Sequence, residues 1–122
     1  MSEVQKINSP DRPVVPMYSH AVKIPGLVFI TGQMPIDTAG NVVPGDIKAQ
    51  CISNLTDVLK AAGSSWDKVV KVNVYLKSMD DFATMNEVYT RLLPVPKPAR
   101  TCIQAGKLPY DVDIEIEAIA AA

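Results

Sequence analysis

Val112-Asp113-Ile114-Glu115-Ile116-Glu117-Ala118-Ile119-Ala120 alternates in character residue by residue. In an extended strand Asp113, Glu115 and Glu117 point one way and Val112, Ile114, Ile116 and Ala118 the other, because successive strand side chains face opposite sides. Such a segment belongs to a sheet with one packed face. Upstream, Lys97-Pro98-Ala99-Arg100-Thr101-Cys102 carries the same period, with Arg100, Cys102 and Gln104 on one face. The Lys107-Leu108-Pro109-Tyr110-Asp111 turn between the two segments predicts antiparallel neighbours, with Arg100 approaching Glu115 across the sheet. Taken alone, that pairing reads as a structural ion pair or as a small-molecule site, the ion pair being the simpler reading.

Outward from this stretch, Tyr18 to Ile24 and Leu27 to Ile36 are β-rich runs split by Pro25-Gly26, a hairpin signal, and Asp37 to Asn41 forms the next turn. From Asp46, a candidate cap, Ile47, Cys51, Leu55, Val58, Leu59 and Ala62 recur at helical spacing, with Gly63 as the stop. Val70, Val72, Val74 and Leu76 alternate with Lys71, Asn73, Tyr75 and Lys77 as a half-buried strand. A second helix, capped by Ser78 or Asp80, places Phe82, Met85, Tyr89 and Leu92 inward and ends at Pro94 and Pro96. The segment through Pro16 has no period and reads as an extended lead-in. The order β-β-α-β-α-β-β predicts an α+β domain in which two helices cover one face of a sheet of about five strands. The other face needs a cover, and a closed homo-oligomer supplies one.

At 122 residues the chain, 1–122, is a single domain. Its apolar runs fall short of the ~18 residues of a membrane span. The N-terminus has no apolar signal core, and Glu3 and Asp11 speak against a transit peptide, so the cytoplasm is the expected compartment. A formal charge of −1, with scattered basic residues and no interleaved aromatics, gives nucleic acid little to bind. Cys51 and Cys102 lack CxxC spacing and are not expected to pair, and a single histidine, His20, implies no metal site. Cys51 reads as a small core residue.

Tyr18-Ser19-His20-Ala21-Val22, Ile30-Thr31-Gly32-Gln33-Met34-Pro35, Asp81-Phe82-Ala83-Thr84-Met85-Asn86, Pro98-Ala99-Arg100-Thr101-Cys102 and Ile114 to Ala120 occur in an order and spacing that resemble the Rid (reactive intermediate deaminase) family. The resemblance runs from about Tyr18 onward and is strongest to fungal members. It implies a chorismate-mutase-like subunit, a homotrimer with sites in clefts between subunits, and cofactor-free hydrolysis of 2-imino and 2-enamino acids such as 2-iminobutanoate and 2-iminopropanoate. It also implies a location in the cytoplasm or the mitochondrial matrix.

By the same resemblance Arg100 grips the substrate carboxylate, a role its planar donor fork suits, and Glu115 holds the attacking water and passes protons. Tyr18, Thr31, Gly32, Asn86 and Cys102 match substrate-lining positions. Tyr18 and Thr31 also read as packed strand residues, and Gly32 as a bulge or a close backbone approach. Cys102 lacks a nearby base in sequence and reads as lining rather than as a nucleophile. His20 is expected to be hydrogen-bonded, and Glu117, roughly 7 Å from Glu115 by strand rise, is a supporting or intersubunit residue. Met17, before Tyr18, and Leu92 to Pro96 depart from the family pattern beside the implied cleft and bear on substrate size. Two alternatives stand beside this reading: an endoribonuclease or translation inhibitor, an activity also attributed to the family, and a non-catalytic regulator that binds small carboxylates.

Overall fold

The computed structural model describes residues 3–43 and 47–122. Its elements are β1 (Gln5–Ile7), β2 (Ala21–Ile24), β3 (Leu27–Gln33), α1 (Ile47–Ala61), β4 (Val69–Leu76), α2 (Phe82–Leu92), β5 (Ala99–Gln104) and β6 (Ile114–Ala121). They form one sheet in the order β1-β2-β3-β6-β4-β5, all pairs antiparallel except β4 with β5. The α+β class and the two helices on one face stand. Cys51, Leu55, Val58 and Leu59 of α1 and Met85, Val88 and Tyr89 of α2 share a core with Val28, Val72, Val74, Ile114 and Ile116.

Three expectations change. The lead-in contributes a sixth strand, β1, whose short run pairs with β2 through backbone groups and has no buried period to betray it. Second, β5 and β6 are not neighbours. The chain leaves β4 through α2 and returns as β5 parallel to it, as a crossover helix allows, so residues 105–113 must step across β4 before β6 can pair. A segment that long is no tight hairpin, and the short 3₁₀ turn at Pro109–Asp111 sits inside it. Third, β4 carries a register shift between Val69 and Lys71, so Val69 turns inward and Val70 is exposed, against the simple alternation.

Local signals otherwise hold. Gly63 takes φ +74, and the bonds Gly63 N–H to Lys60 O (3.0 Å) and Ser64 N–H to Leu59 O (2.9 Å) form a Schellman close to α1. The proposed Asp46 cap lies outside the described residues. Ser78 Oγ accepts from Asp80 N–H (3.1 Å) and caps a 3₁₀ turn that leads into α2, so Asp80 is within the turn rather than its cap. The inner stripe of α2 is Met85, Val88 and Tyr89, while Phe82 and Leu92, at its two ends, are partly exposed. Cys51 is in the core, and neither cysteine is paired.

A buried polar knot ties the N-terminal segment and the loop after β3 to α1. Asn54, fully buried, donates to the carbonyls of Met34 (2.7 Å) and Ile36 (2.8 Å) and accepts from the Arg12 guanidinium. Arg12 also donates to Ile36 O (3.1 Å) and lies 3.8 Å from Asp57. His20 accepts at Nδ1 from Ser9 N–H (2.9 Å) and faces Pro13 O with Nε2 (2.7 Å), a set that the Nε2–H tautomer satisfies. Removing Asn54 takes a donor from each of the Met34 and Ile36 carbonyls and an acceptor from Arg12, three buried hydrogen bonds in all. Asn54→Ala is therefore expected to cost about 2–4 kcal/mol in urea unfolding; a cost below about 1 kcal/mol would show that the knot is dispensable.

Candidate functional site

The predicted site residues fall into two clusters. The first lies on the sheet face without helices. Glu115 of β6 pairs in register with Tyr75 of β4, on the side opposite Val72 and Val74. Between Ile30 and Gln33 the pairing of β3 with β6 shifts, and Gly32 sits in that irregularity. The glycine is needed for space: a Cβ there would stand 2.8 Å from Glu115 Cδ. Nearby, Thr31 fixes the Tyr18-Ser19-His20 segment, its Oγ1 donating to Ser19 O (2.7 Å) and its N–H to His20 O (3.0 Å).

These residues line a cavity of about 290 Å³, with Tyr18, Thr31, Gly32 and Glu115 supplying its polar groups. Met17, Met34, Pro109 and Tyr110 supply the apolar wall. Burial, and then the neighbouring Glu117 carboxylate, push the Glu115 carboxyl above the ordinary glutamate range. Burial, then Tyr110 and Glu115, raise the Tyr18 hydroxyl. A carboxyl poised in this way can hold a water and exchange protons with it.

The second cluster stands at the β5 edge, on the helix-covered face. Arg100 pairs with Val72 and Cys102 with Val74. The Arg100 guanidinium carbon lies 4.9 Å from the Tyr89 ring centroid and 5.8 Å from that of Phe82, so the cation is held against two aromatic rings. Asn86 shares that α2 face by helical spacing. Asn86 Oδ1 and the Tyr89 hydroxyl are buried without a hydrogen-bond partner, groups that a ligand or a neighbouring chain would satisfy. Burial raises the Cys102 thiol and Arg100 opposes this only in part, so the sulfur is not primed as a nucleophile.

Arg100 and Glu115 therefore do not meet in one subunit: β4 lies between their strands, and they project from opposite faces. The structural ion pair falls with that contact, since the ion pairs among the described residues are Arg12–Asp57 and Lys77–Asp111. Sequence reasoning missed Met34, Pro109 and Tyr110 as pocket wall, and the clasp of Phe82 and Tyr89 on Arg100. The 82, 86, 89 spacing carried a signal for the clasp; no periodicity signals the loop residues. Among the described residues no group of three or more His, Cys, Asp or Glu could hold a metal ion.

A family model described as Endoribonuclease L-PSP matches residues 9–122. The chain belongs to this family, the Rid family. It is 53% identical over 110 residues, 85% of its length and 86% of the relative's, to protein mmf2, mitochondrial, of Schizosaccharomyces pombe. A RutC family protein of Pyrococcus horikoshii is 48% identical over 98% of both chains, so the fungal likeness does not set this chain apart from archaeal members. The 2-iminobutanoate/2-iminopropanoate deaminase of Mus musculus is 41% identical over 84% of this chain and 79% of its own. Among solved structures, Escherichia coli TdcF with bound serine superposes with a TM-score of 0.89 at 32% identity, covering 97% of this chain and 98% of that one.

Adding a methyl at position 32 displaces the end of a flexible side chain, not backbone. Gly32→Ala is expected to fold with a thermal midpoint within a few degrees of the parent and to weaken at least about tenfold any turnover that uses Glu115. Full activity in this variant would remove Glu115 from the working geometry.

Proposed function

We propose that the chain is a 2-imino acid deaminase, a C=N hydrolase acting on 2-iminobutanoate and 2-iminopropanoate and their enamine tautomers, whose sites form between subunits of a homotrimer. The separation of Arg100 from Glu115 carries this reading. A carboxylate anchor and an acid-base group that work on one small substrate must lie a few ångströms apart, and here each is complete except for the other. A second copy, bringing its β5 edge to the open face, joins the two halves. That face exposes Leu27, Phe29 and Ile103, an apolar surface suited to burial against another chain.

In the joined site Arg100 binds the substrate carboxylate through two parallel hydrogen bonds, with its direction fixed by Tyr89 and Phe82. The imine nitrogen enters protonated, as the iminium, and Glu115 orients a water toward the imine carbon and takes one of the water's protons as the oxygen adds. The resulting carbinolamine holds hydroxyl and amine on the same carbon. Glu115 returns the proton to the amine, the C–N bond breaks with its electron pair leaving on ammonia, and the hydroxyl proton is lost as the carbonyl of the 2-oxo acid forms. Asn86 and the peptide groups near Gly32 and Cys102 serve as lining. The mouse relative's name supports the substrate class, and the mitochondrial name of the yeast relative supports a mitochondrial as well as a cytoplasmic location.

The family description favours a second reading, an endoribonuclease. It finds little support in the side chains: the single histidine is buried with both ring nitrogens engaged, and the net charge is −1. For the carboxylate-binding regulator, Arg100 suffices and Glu115 is dispensable.

Mixing tests the intersubunit site. Arg100→Ala and Glu115→Ala, each inactive alone as homo-oligomers, are expected to recover about a quarter of parental activity when co-assembled one to one, since each site takes one residue from each of two chains. No recovery from verified mixed oligomers would exclude shared sites, and an active Glu115→Ala would favour the binding protein.

The pH profile tests the acid-base role. Glu115 must be ionised to accept a proton, so kcat/KM should fall on acidification with a midpoint above the ordinary glutamate range. Glu117→Gln removes the charge that opposes this ionisation and should move the acid limb to lower pH. An unmoved limb in an active variant would sink Glu115 as the base.

A further inference from the structure

The apolar wall of the Glu115 cavity has no task in the reaction just described. An alanine-derived imino acid carries only a methyl as its side chain, and its carboxylate belongs at Arg100, outside this cavity. The cavity of about 290 Å³ is many times the space that one water needs, so a methyl and an imine nitrogen leave part of its apolar wall uncovered. Met17, Met34, Pro109 and Tyr110 border it and none carries a charge.

Of these four, Tyr110 is the one whose backbone is forced. It takes φ 56 and Asp111 takes φ 53, two successive non-glycine residues in the left-handed region that L side chains rarely adopt. The turn is held from both sides: Asp111 N–H donates to Leu108 O (3.1 Å), Val112 N–H to Pro109 O (3.3 Å), and Lys77 Nζ reaches the Asp111 carboxylate at 3.1 Å. These two residues lie within the 105–113 connection that crosses β4. This turn sets Tyr110, a residue 67% exposed, at the cavity beside Tyr18, with the flexible Met17 also on its rim.

We infer that Tyr110, fixed by its left-handed turn, is a specificity-determining residue: with Met17 it forms an apolar wall that takes the substrate's side chain and favours imino acids with extended apolar side chains, of the leucine-derived kind, over the alanine-derived one. This rests on the deaminase reading and adds to it the side-chain class and the residue that selects it. The polar floor acts alike on every 2-imino acid, whereas the wall is touched only by side chains long enough to reach it. Additional methylene contacts in such a pocket are worth about 10–200-fold in kcat/KM.

The test generates imino acids in situ from alanine and from leucine with an L-amino-acid oxidase, and measures kcat/KM for each with the parent protein, Tyr110→Asn and Tyr110→Phe. Asparagine tolerates the left-handed backbone and removes the ring; phenylalanine keeps the ring. The parent is expected to prefer the leucine-derived substrate by about tenfold or more, Tyr110→Asn to lose most of that preference, and Tyr110→Phe to keep it, with thermal midpoints showing that all three fold. An unchanged ratio in a folded Tyr110→Asn, or no preference in the parent, would overturn the assignment while leaving the deaminase intact. Absence of turnover by the parent on either substrate would overturn the deaminase reading itself, and the assignment with it.

Discussion

The central position of the last strand governs the rest of the structure. β6 pairs with β3 on one side and β4 on the other, so the C-terminal segment closes the sheet and its acidic side becomes the middle of the open face. Its apolar side, Ile114, Ile116, Ala118 and Ala120, is buried under the helices. A one-residue slip would exchange the two faces and bring Glu115 and Glu117 into the core, so the burial that holds the strand also fixes where its carboxylates stand. The same insertion separates β5 from β3 and leaves it at the sheet edge.

That edge position suits Arg100. A cation on a central strand facing the helices would need a buried counter-charge, whereas at the edge its guanidinium lies on the rings of Tyr89 and Phe82 and can still reach outward. The unpartnered Asn86 and Tyr89 atoms beside it belong to the same logic, because buried polar groups are rarely left unsatisfied unless something else is to arrive. Glu115 presents the complementary case. Its raised pKa follows from burial in a shallow cavity next to a like charge, and only the lack of a side chain at Gly32 makes room for it.

Around these groups the scaffold is rigid where position matters. Asn54 and Arg12 tie the loop after β3 to α1, and His20 clasps the N-terminal segment, so the chain on both sides of Tyr18 and Gly32 is anchored by buried hydrogen bonds. The residues of the apolar cavity wall are of another kind, two methionines, a proline and a tyrosine. The polar and the apolar groups thus occupy separable parts of one cavity.

The alternation of Ile114 to Ala120, the helical spacing of Cys51, Leu55, Val58 and Leu59, and the Pro25-Gly26 and Gly63 punctuation were legible because each is a local pattern set by backbone period or turn conformation. They determined the α+β class, the packed face and the side of the strand that bears Glu115; the matched motifs named the family. Strand order was not legible. A turn signal between β5 and β6 says that the chain changes direction, not which strands it then pairs with, and here the parallel return through α2 left β4 in between. Only the tertiary structure decided that Arg100 and Glu115 stand on opposite faces, that Phe82 and Tyr89 clasp the arginine, and that Tyr110 reaches the cavity. These are relations between residues distant in sequence, fixed by pairing and packing rather than by any local preference.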